Sequence, residues 1–194
     1  MGFIQSLKEI KWDLCGRWFL YKQAMIGWIP SLIGYRLRSR FYRKWLRSLG
    51  EGTIFMESVY IRNPRMLSIG KHCSVGVGVR IQAAGGLTLG DDVILGPGVN
   101  IWTSNHVFAD PDRPIRSQGQ ELKEVVIGDD VWVGANTFIM PGARIPKGCI
   151  ISAGSVLGAK RYKEFSILAG NPARVISFRT TVRPGAPSPQ PEEE

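Results

Sequence analysis

Few side chains in this chain can bind a metal or take up a proton near neutral pH: its 194 residues include only two histidines and three cysteines. Cys15, Cys73 and Cys149 are widely spaced, with no C-x-x-C pair and no secretory leader. That pattern argues against a disulfide framework and fits reduced thiols in a cytoplasmic setting. Long apolar runs are also missing. Arg17, Lys22, Gln23 and Pro30 interrupt every stretch that approaches the ~20 residues needed to cross a bilayer. Uninterrupted helical stretches are scarce because 23 glycines and 12 prolines punctuate the chain, so strands and turns should dominate. The length suits one domain with a real core and a smaller appendage.

Acidic residues are nearly absent from one end. Residues 1–50 hold ten Lys/Arg against Glu9 and Asp13 alone, so this segment carries most of the formal net charge of +9. A basic patch confined to one end is a docking feature rather than a property of the fold, and it carries no recognisable nucleic-acid module. Nucleic acid is therefore not an expected partner.

What the chain does contain is a repeat of six. From Ile127 it reads IGDDVW, VGANTF, IMPGAR, IPKGCI, ISAGSV. Each unit opens on an aliphatic residue (Ile127, Val133, Ile139, Ile145, Ile151), with a small or short side chain four positions on (Val131, Thr137, Ala143, Cys149, Ser155). The same phase runs upstream through Leu89, Leu95 and Ile101, and earlier through IGKHCS, VGVGVR and the looser IQAAGG. Between Ile81 and Leu89 the step lengthens to eight, and a longer insertion separates the units at Ile101 and Ile127. A period of six fits neither a helix nor a flat strand. It predicts a chain that turns a corner every six residues, three units to a triangular coil, with the aliphatic openers stacked inside. Small residues fit the corners, and Gly, Asn and Asp supply the turns. Cys73 and Cys149 fall at small-residue positions and are expected to be structural.

Three segments carry a resemblance: PGVNIWTSNH followed by an excursion rich in Asp, Pro and Arg; IGDDVWVGANTFIMPGARI; and AGNPARVI. With the repeat, they make residues 52–178, about two-thirds of the chain, resemble the hexapeptide-repeat acyltransferases. Within these, the chain is most similar to the maltose and galactoside O-acetyltransferase group and the O-acetyltransferases of surface polysaccharide synthesis, colanic acid among them. The resemblance implies an all-β, left-handed parallel β-helix, an exception to the right-handed rule for parallel crossovers, assembled as a homotrimer. The expected organisation is a basic helical segment at 1–50, the β-helix at 51–178 and a disordered tail at 179–194, Pro-rich and then acidic.

Acyl transfer from a thioester to an alcohol needs a base for the hydroxyl proton and a donor for the developing oxyanion. A neutral imidazole suits the first task. His106 closes a repeat unit where the chain enters the insertion at 107–124. On position alone it reads equally as a surface histidine. The resemblance implies the catalytic base, in the setting Thr103-Ser104-Asn105-His106. Nothing around His72 resembles a site. Similar β-helices with carbonic anhydrase activity hold zinc through three histidines, a set this chain cannot supply, so no metal is expected.

The insertion carries Asp110, Asp112, Arg113, Arg116 and Glu121, with Pro111 and Pro114 restraining it, and long loops inside compact repeats tend to be functional. By resemblance it covers the acceptor site between two subunits. Asn105, Asp110, Asp112 and Trp132 are the acceptor-binding candidates. Each aspartate reads either as orienting the imidazole or a sugar hydroxyl, or as a solvated charge. Trp132 and Trp102 read either as packing residues or as ligand contacts. For acetyl-CoA, the implied co-substrate, Ala135 and Ala153 stand where the family's backbone meets the pantetheine arm. Lys160, Arg161, Lys163 and Arg174 suit its phosphates, with a solvated basic terminus as the alternative. The stretch VRIQAAGGLTLG departs from the Asn-containing segment of the maltose and galactoside enzymes, which points to a different acceptor.

Residues 3–26 and 31–49 have helical patterns, broken around Gly27 and Pro30. Two readings stand for residues 1–48: a peripheral anchor on an anionic leaflet, or helices that cap the β-helix or pack between subunits. An anchor would place the protein at the inner face of the cytoplasmic membrane with a lipid-linked carbohydrate acceptor. The expected activity is O-acetylation of a sugar hydroxyl. The alternatives are N-acetylation of an amino sugar or antibiotic, and a non-catalytic β-helix scaffold.

Overall fold

The computed structural model describes residues 18–179. Cys15, the first part of the 3–26 helical pattern and residues 180–194 of the expected tail lie outside the described residues. Two helices, α1 (Trp18–Gly27) and α2 (Ser31–Trp45), precede a parallel β-helix that begins at Ser48.

The hexapeptide phase becomes three parallel sheets, one on each side of a triangular prism. The first face stacks Ser48–Leu49, Leu67–Ile69, Leu87–Leu89, Val125–Ile127 and Arg144–Ile145. The second stacks Ile54–Phe55, Ser74–Val75, Ile94–Leu95, Trp132–Val133, Ile150–Ile151 and Ser166–Gly170, and is closed by the antiparallel strand Ala173–Phe178. The third stacks Tyr60–Arg62, Arg80–Gln82, Asn100–Trp102, Phe138–Ile139 and Val156–Leu157. Five complete coils and a partial sixth result.

Register explains the repeat. On the third face Ile61, Ile81, Ile101, Ile139 and Leu157 pair in succession, and all are buried. On the second, Phe55, Val75, Leu95, Val133, Ile151 and Leu168 do the same. No single coil could bury such a row; stacking turns the rows into one continuous core. The small residues four positions on are buried as well, among them Cys73 and Cys149. Burial pushes both thiols above their ordinary value, hydrogen bonds opposing, so they stay protonated and inert at neutral pH.

The irregularities of the repeat share one corner. The steps of eight from Ile61 to Ile69 and from Ile81 to Leu89, and the long insertion after Ile101, all fall where the third face turns into the first. That corner carries the candidate site.

The open first coil is capped by α1 and α2. Its backbone groups would otherwise lack partners. Arg38, fully buried, donates from Nε to the Phe55 carbonyl (2.8 Å) and from Nη1 to the carbonyls of Ile26 (3.1 Å) and Ile29 (2.7 Å). Its Nη2 faces the Glu57 carboxylate at 3.6 Å, beyond hydrogen-bond length. Gln23 accepts from the Ile61 N–H (2.8 Å) and from the Tyr42 hydroxyl (3.0 Å). The Tyr42 ring lies 4.4 Å from Phe55. Burial holds its phenol well above the usual value, against the opposing pull of Arg38. The capping reading of these helices thus holds for their inner faces. Their outer faces and the turn between them expose Trp18, Tyr21, Met25, Trp28, Leu32, Ile33 and Leu37. No described helix is long and apolar enough to cross a membrane.

Candidate functional site

The insertion is a β-hairpin arm. Ser104–His106 runs antiparallel to Gln120–Leu122, pairing Ser104 with Leu122, Asn105 with Glu121 and His106 with Gln120. Residues 103–106 leave the third face without a break, so the arm inherits its direction from the core strand Asn100–Trp102. Its root is locked by Thr103, which is fully buried. The Thr103 hydroxyl donates to the Gln82 carbonyl (2.9 Å) and accepts from the Gly85 N–H (2.8 Å). Across the root the Lys123 N–H donates to the Thr103 carbonyl (2.9 Å). Gly85 is obligatory in this corner: a Cβ there would lie 2.5 Å from the Thr103 oxygen and 2.8 Å from the Lys123 nitrogen.

His106 sits three residues beyond this lock, exposed. Its backbone N–H donates to the Asn105 side-chain oxygen (3.0 Å), and no described residue hydrogen-bonds or ion-pairs with its imidazole. The ring borders an open depression of 420 Å³ lined also by Val107, Phe108, Ala109, Gln120 and Glu121. An unpartnered imidazole beside a cleft, on an anchored strand, can take a proton from a bound hydroxyl.

The other candidates scatter around the prism. Asp110 lies in the arm's outer turn, where its carboxylate accepts from the Asp112 N–H (3.0 Å) and Gln118 brackets its backbone; neither aspartate contacts His106. Trp132 lies half exposed on the second face, between Ile94 and Ile150. That face is opposite the corner from which the arm leaves, so the fold does not bring Trp132 to His106 within the chain. Trp102 packs outward against Phe138, ring centres 5.8 Å apart. Ala135 and Ala153 stack at the edge between the second and third faces, where the Gly154 N–H donates to the Ala135 carbonyl (2.8 Å). Arg174 joins that edge by pairing with Ala169. Lys160, Arg161 and Lys163 instead occupy the connection between the fifth and sixth coils, at the arm's corner, with Arg161 turned over a 340 Å³ hollow on the first face beside Arg144 and Tyr162. His72 pairs with Asp92 at 3.6 Å at the corner between the first and second faces. Among the described residues no group of three His, Cys, Asp or Glu could hold a metal ion.

The family model for the bacterial transferase hexapeptide (six repeats) matches residues 124–159, and that for the hexapeptide repeat of succinyl-transferase matches residues 66–101. The Saccharomyces cerevisiae protein YJL218W, provisionally named an acetyltransferase, is 34% identical over 140 residues, covering 72% of this chain and 69% of its own. This chain belongs to the hexapeptide-repeat acetyltransferases. The Escherichia coli protein WcaF, provisionally named a colanic acid biosynthesis acetyltransferase, is 26% identical over 162 residues, covering 84% of this chain and 85% of its own. A galactoside acetyltransferase solved in complex with coenzyme A superposes with a TM-score of 0.71 at 24% identity, over 86% of this chain and 80% of that one. The fold of this family member is thus the left-handed β-helix.

Sequence reasoning passed over the lock formed by Gln82, Gly85 and Thr103, and Gln120 as the cross-strand partner of His106. The lengthened step between Ile81 and Leu89 was the signal, since a surplus in a strict repeat marks the corner where something other than core packing is built.

Proposed function

We propose that this chain is an acetyl-CoA-dependent O-acetyltransferase of a sugar hydroxyl in surface polysaccharide biosynthesis, with His106 as general base. The observation that carries the proposal is the unpartnered imidazole on the locked first strand of the arm, facing an open depression. The imidazole removes the acceptor hydroxyl's proton as the oxygen attacks the thioester carbonyl. The C–S bond then breaks, and the CoA thiolate takes the proton back from the imidazolium. A positioned base of this kind contributes roughly 100- to 10,000-fold.

The name of the WcaF relative supports a polysaccharide acceptor, and the CoA complex of the galactoside acetyltransferase supports the donor. Ala135 and Ala153 offer backbone along a smooth edge for the pantetheine, with Arg174 on the same edge as a cation for its phosphates, whereas Lys160, Arg161 and Lys163 lie at the arm's corner. A homotrimer accounts for two further features. The arm exposes Phe108, Ile115 and Leu122, and a neighbour's second face would cover them and carry its Trp132 toward His106, with Asn105, Asp110 and Asp112 on the acceptor side.

The acceptor is presented at the inner face of the membrane. Residues 18–50 contain no acidic residue, and the exposed apolar face of α1 and α2 is flanked by Lys22, Arg36 and Arg40, a composition complementary to an anionic leaflet. Acetyl transfer to neutral sugars, lipid-linked sugars and amino sugars, with identification of the product as ester or amide, tests the proposal. An amide product would favour N-acetylation, and failure to turn over or bind acetyl-CoA would leave a scaffold.

A further inference from the structure

A hollow larger than the one beside His106 also touches the arm. A groove of 620 Å³ runs between the helical cap and the corner of the first two coils, lined among others by Trp45, Arg62, Arg65, Gln82, Ala84 and Gln120. Gln120 also lines the His106 depression and is the cross-strand partner of His106. Directly opposed residues of a hairpin project to the same side, so the groove and the depression share a wall. The corner containing Arg62 and Arg65 is two coils from that of His106, or about 10 Å at the usual ~4.8 Å spacing between strands.

The groove has a definite chemistry. Among the described residues, neither Arg62 nor Arg65 has a carboxylate partner and no acidic residue lines the groove. The Arg65 guanidinium lies 5.7 Å from the centre of the Trp45 ring, which restricts one cation beside an aromatic wall. Asn63, at φ 59°, starts the tight turn Pro64–Met66 that sets Arg62 and Arg65 on its two sides. The floor is Gln82 and Ala84, from the stretch IQAAGG, whose small side chains leave the space open. Two unpaired guanidiniums beside an aromatic ring and amide side chains suit a sugar that carries an anionic phosphate group.

We propose that this groove binds the phosphate or diphosphate of a glycosyl phosphate acceptor, leaving the sugar ring to reach past Gln120 to His106. This rests on the reading of His106 as the base. The phosphate belongs either to a lipid-linked sugar or to a soluble sugar phosphate or nucleotide sugar; the groove recognises what these share.

The test separates the groove from the base. Calorimetric titration of the full chain with a hexose 1-phosphate, and with inorganic diphosphate, needs no catalysis and is run on the wild type, His106→Ala, Arg62→Ala, Arg65→Ala and, as a control on the third face outside the groove, Arg80→Ala. Binding by the wild type, His106→Ala and Arg80→Ala, weakened about tenfold or more in each groove variant, is the expected result. Where transfer is measured, Arg62→Ala and Arg65→Ala should raise KM for phosphorylated acceptors by a similar factor while kcat and KM for acetyl-CoA hold. Among hexose 1-phosphate, nucleoside diphosphate hexose and polyprenyl diphosphate hexose, a markedly lower KM for the last identifies the lipid-linked source, and a lower KM for either of the others identifies the soluble one. No binding of either probe by the wild type, or equal binding by wild type and groove variants, overturns the proposal even if His106 proves to be the base. Loss of turnover in His106→Ala with phosphate binding intact supports both.

Discussion

Replacing Gly85 with alanine probes how the arm is aimed. The added Cβ would stand 2.5 Å from the Thr103 carbonyl oxygen and 2.8 Å from the Lys123 nitrogen, the two atoms joined by the 2.9 Å hydrogen bond across the arm's root. Ordinary contact requires a separation of about 3.4 Å or more, so the root must yield by about 0.5–1 Å. Backbone on both sides leaves no flexible side chain to absorb the displacement, and overpacking of this kind costs about 1–3 kcal/mol. For a domain of this size that lowers Tm by about 2–4 °C per kcal/mol. The larger effect falls on catalysis. His106 lies three residues along the displaced strand, and a misplacement of about 1 Å costs on the order of 100-fold. Gly85→Ala should therefore fold with a modestly reduced Tm by calorimetry, yet lose roughly 10- to 100-fold in kcat. Gly27→Ala, whose new Cβ meets nothing within 4 Å, is the control expected to keep both. A Gly85→Ala protein with wild-type kcat would show that the lock does not aim the arm.

Alkaline stability follows from the buried protons of the core. Cys73 and Cys149 are held above their ordinary value of 9.0 and Tyr42 above 10.0, burial being the main cause for each. A folded state that holds protons more tightly than the unfolded chain has its full stability below the unfolded values and loses it as pH rises past them. Denaturant midpoints should be flat through neutrality and fall above pH ~9, and Tyr42→Phe should flatten the part above pH ~10, where one such group contributes about 1.4 kcal/mol per pH unit; a midpoint that rises there contradicts the burial argument. Vesicle binding tests the outer face of the helical cap. Sedimentation with anionic vesicles should fall with salt and be lost when Met25 and Trp28, 76% and 79% exposed, are both changed to serine; equal binding to neutral vesicles, or none to either, rules out the anionic surface as the partner.

Much of the fold was legible because a β-helix writes its core into the sequence at fixed intervals. Ile127, Val133, Ile139, Ile145 and Ile151 are all inward rungs, and each small residue four positions on is buried too. The helical segment was legible as helix, with capping as one of two readings, but the contacts that make the cap were not. The pairing of Gln23 with Ile61 and of Arg38 with Phe55 joins residues 38 and 17 positions apart, and neither position belongs to a periodic pattern. Arg38 stood among the cations of a basic patch, yet it is fully buried against backbone carbonyls. His106 was legible as a candidate through the resemblance, together with its place at the chain's exit from the repeat. Its surroundings were not, because hairpin register places Gln120 opposite it and a turn at Asn63 sets Arg62 and Arg65 beside Trp45, contacts that depend on corner geometry rather than on spacing. The candidate CoA residues were legible singly, but the prism sorts them onto different edges.

Whether His106 is the base of an acetyl transfer is decided by a single substitution. The most direct measurement is kcat for transfer from acetyl-CoA by His106→Ala, alongside the affinity of the same variant for CoA. The expected result is a loss of roughly 100- to 10,000-fold in kcat, with unchanged Tm and CoA affinity, because the imidazole has no described partner in the folded chain. A variant that retains wild-type kcat would contradict it.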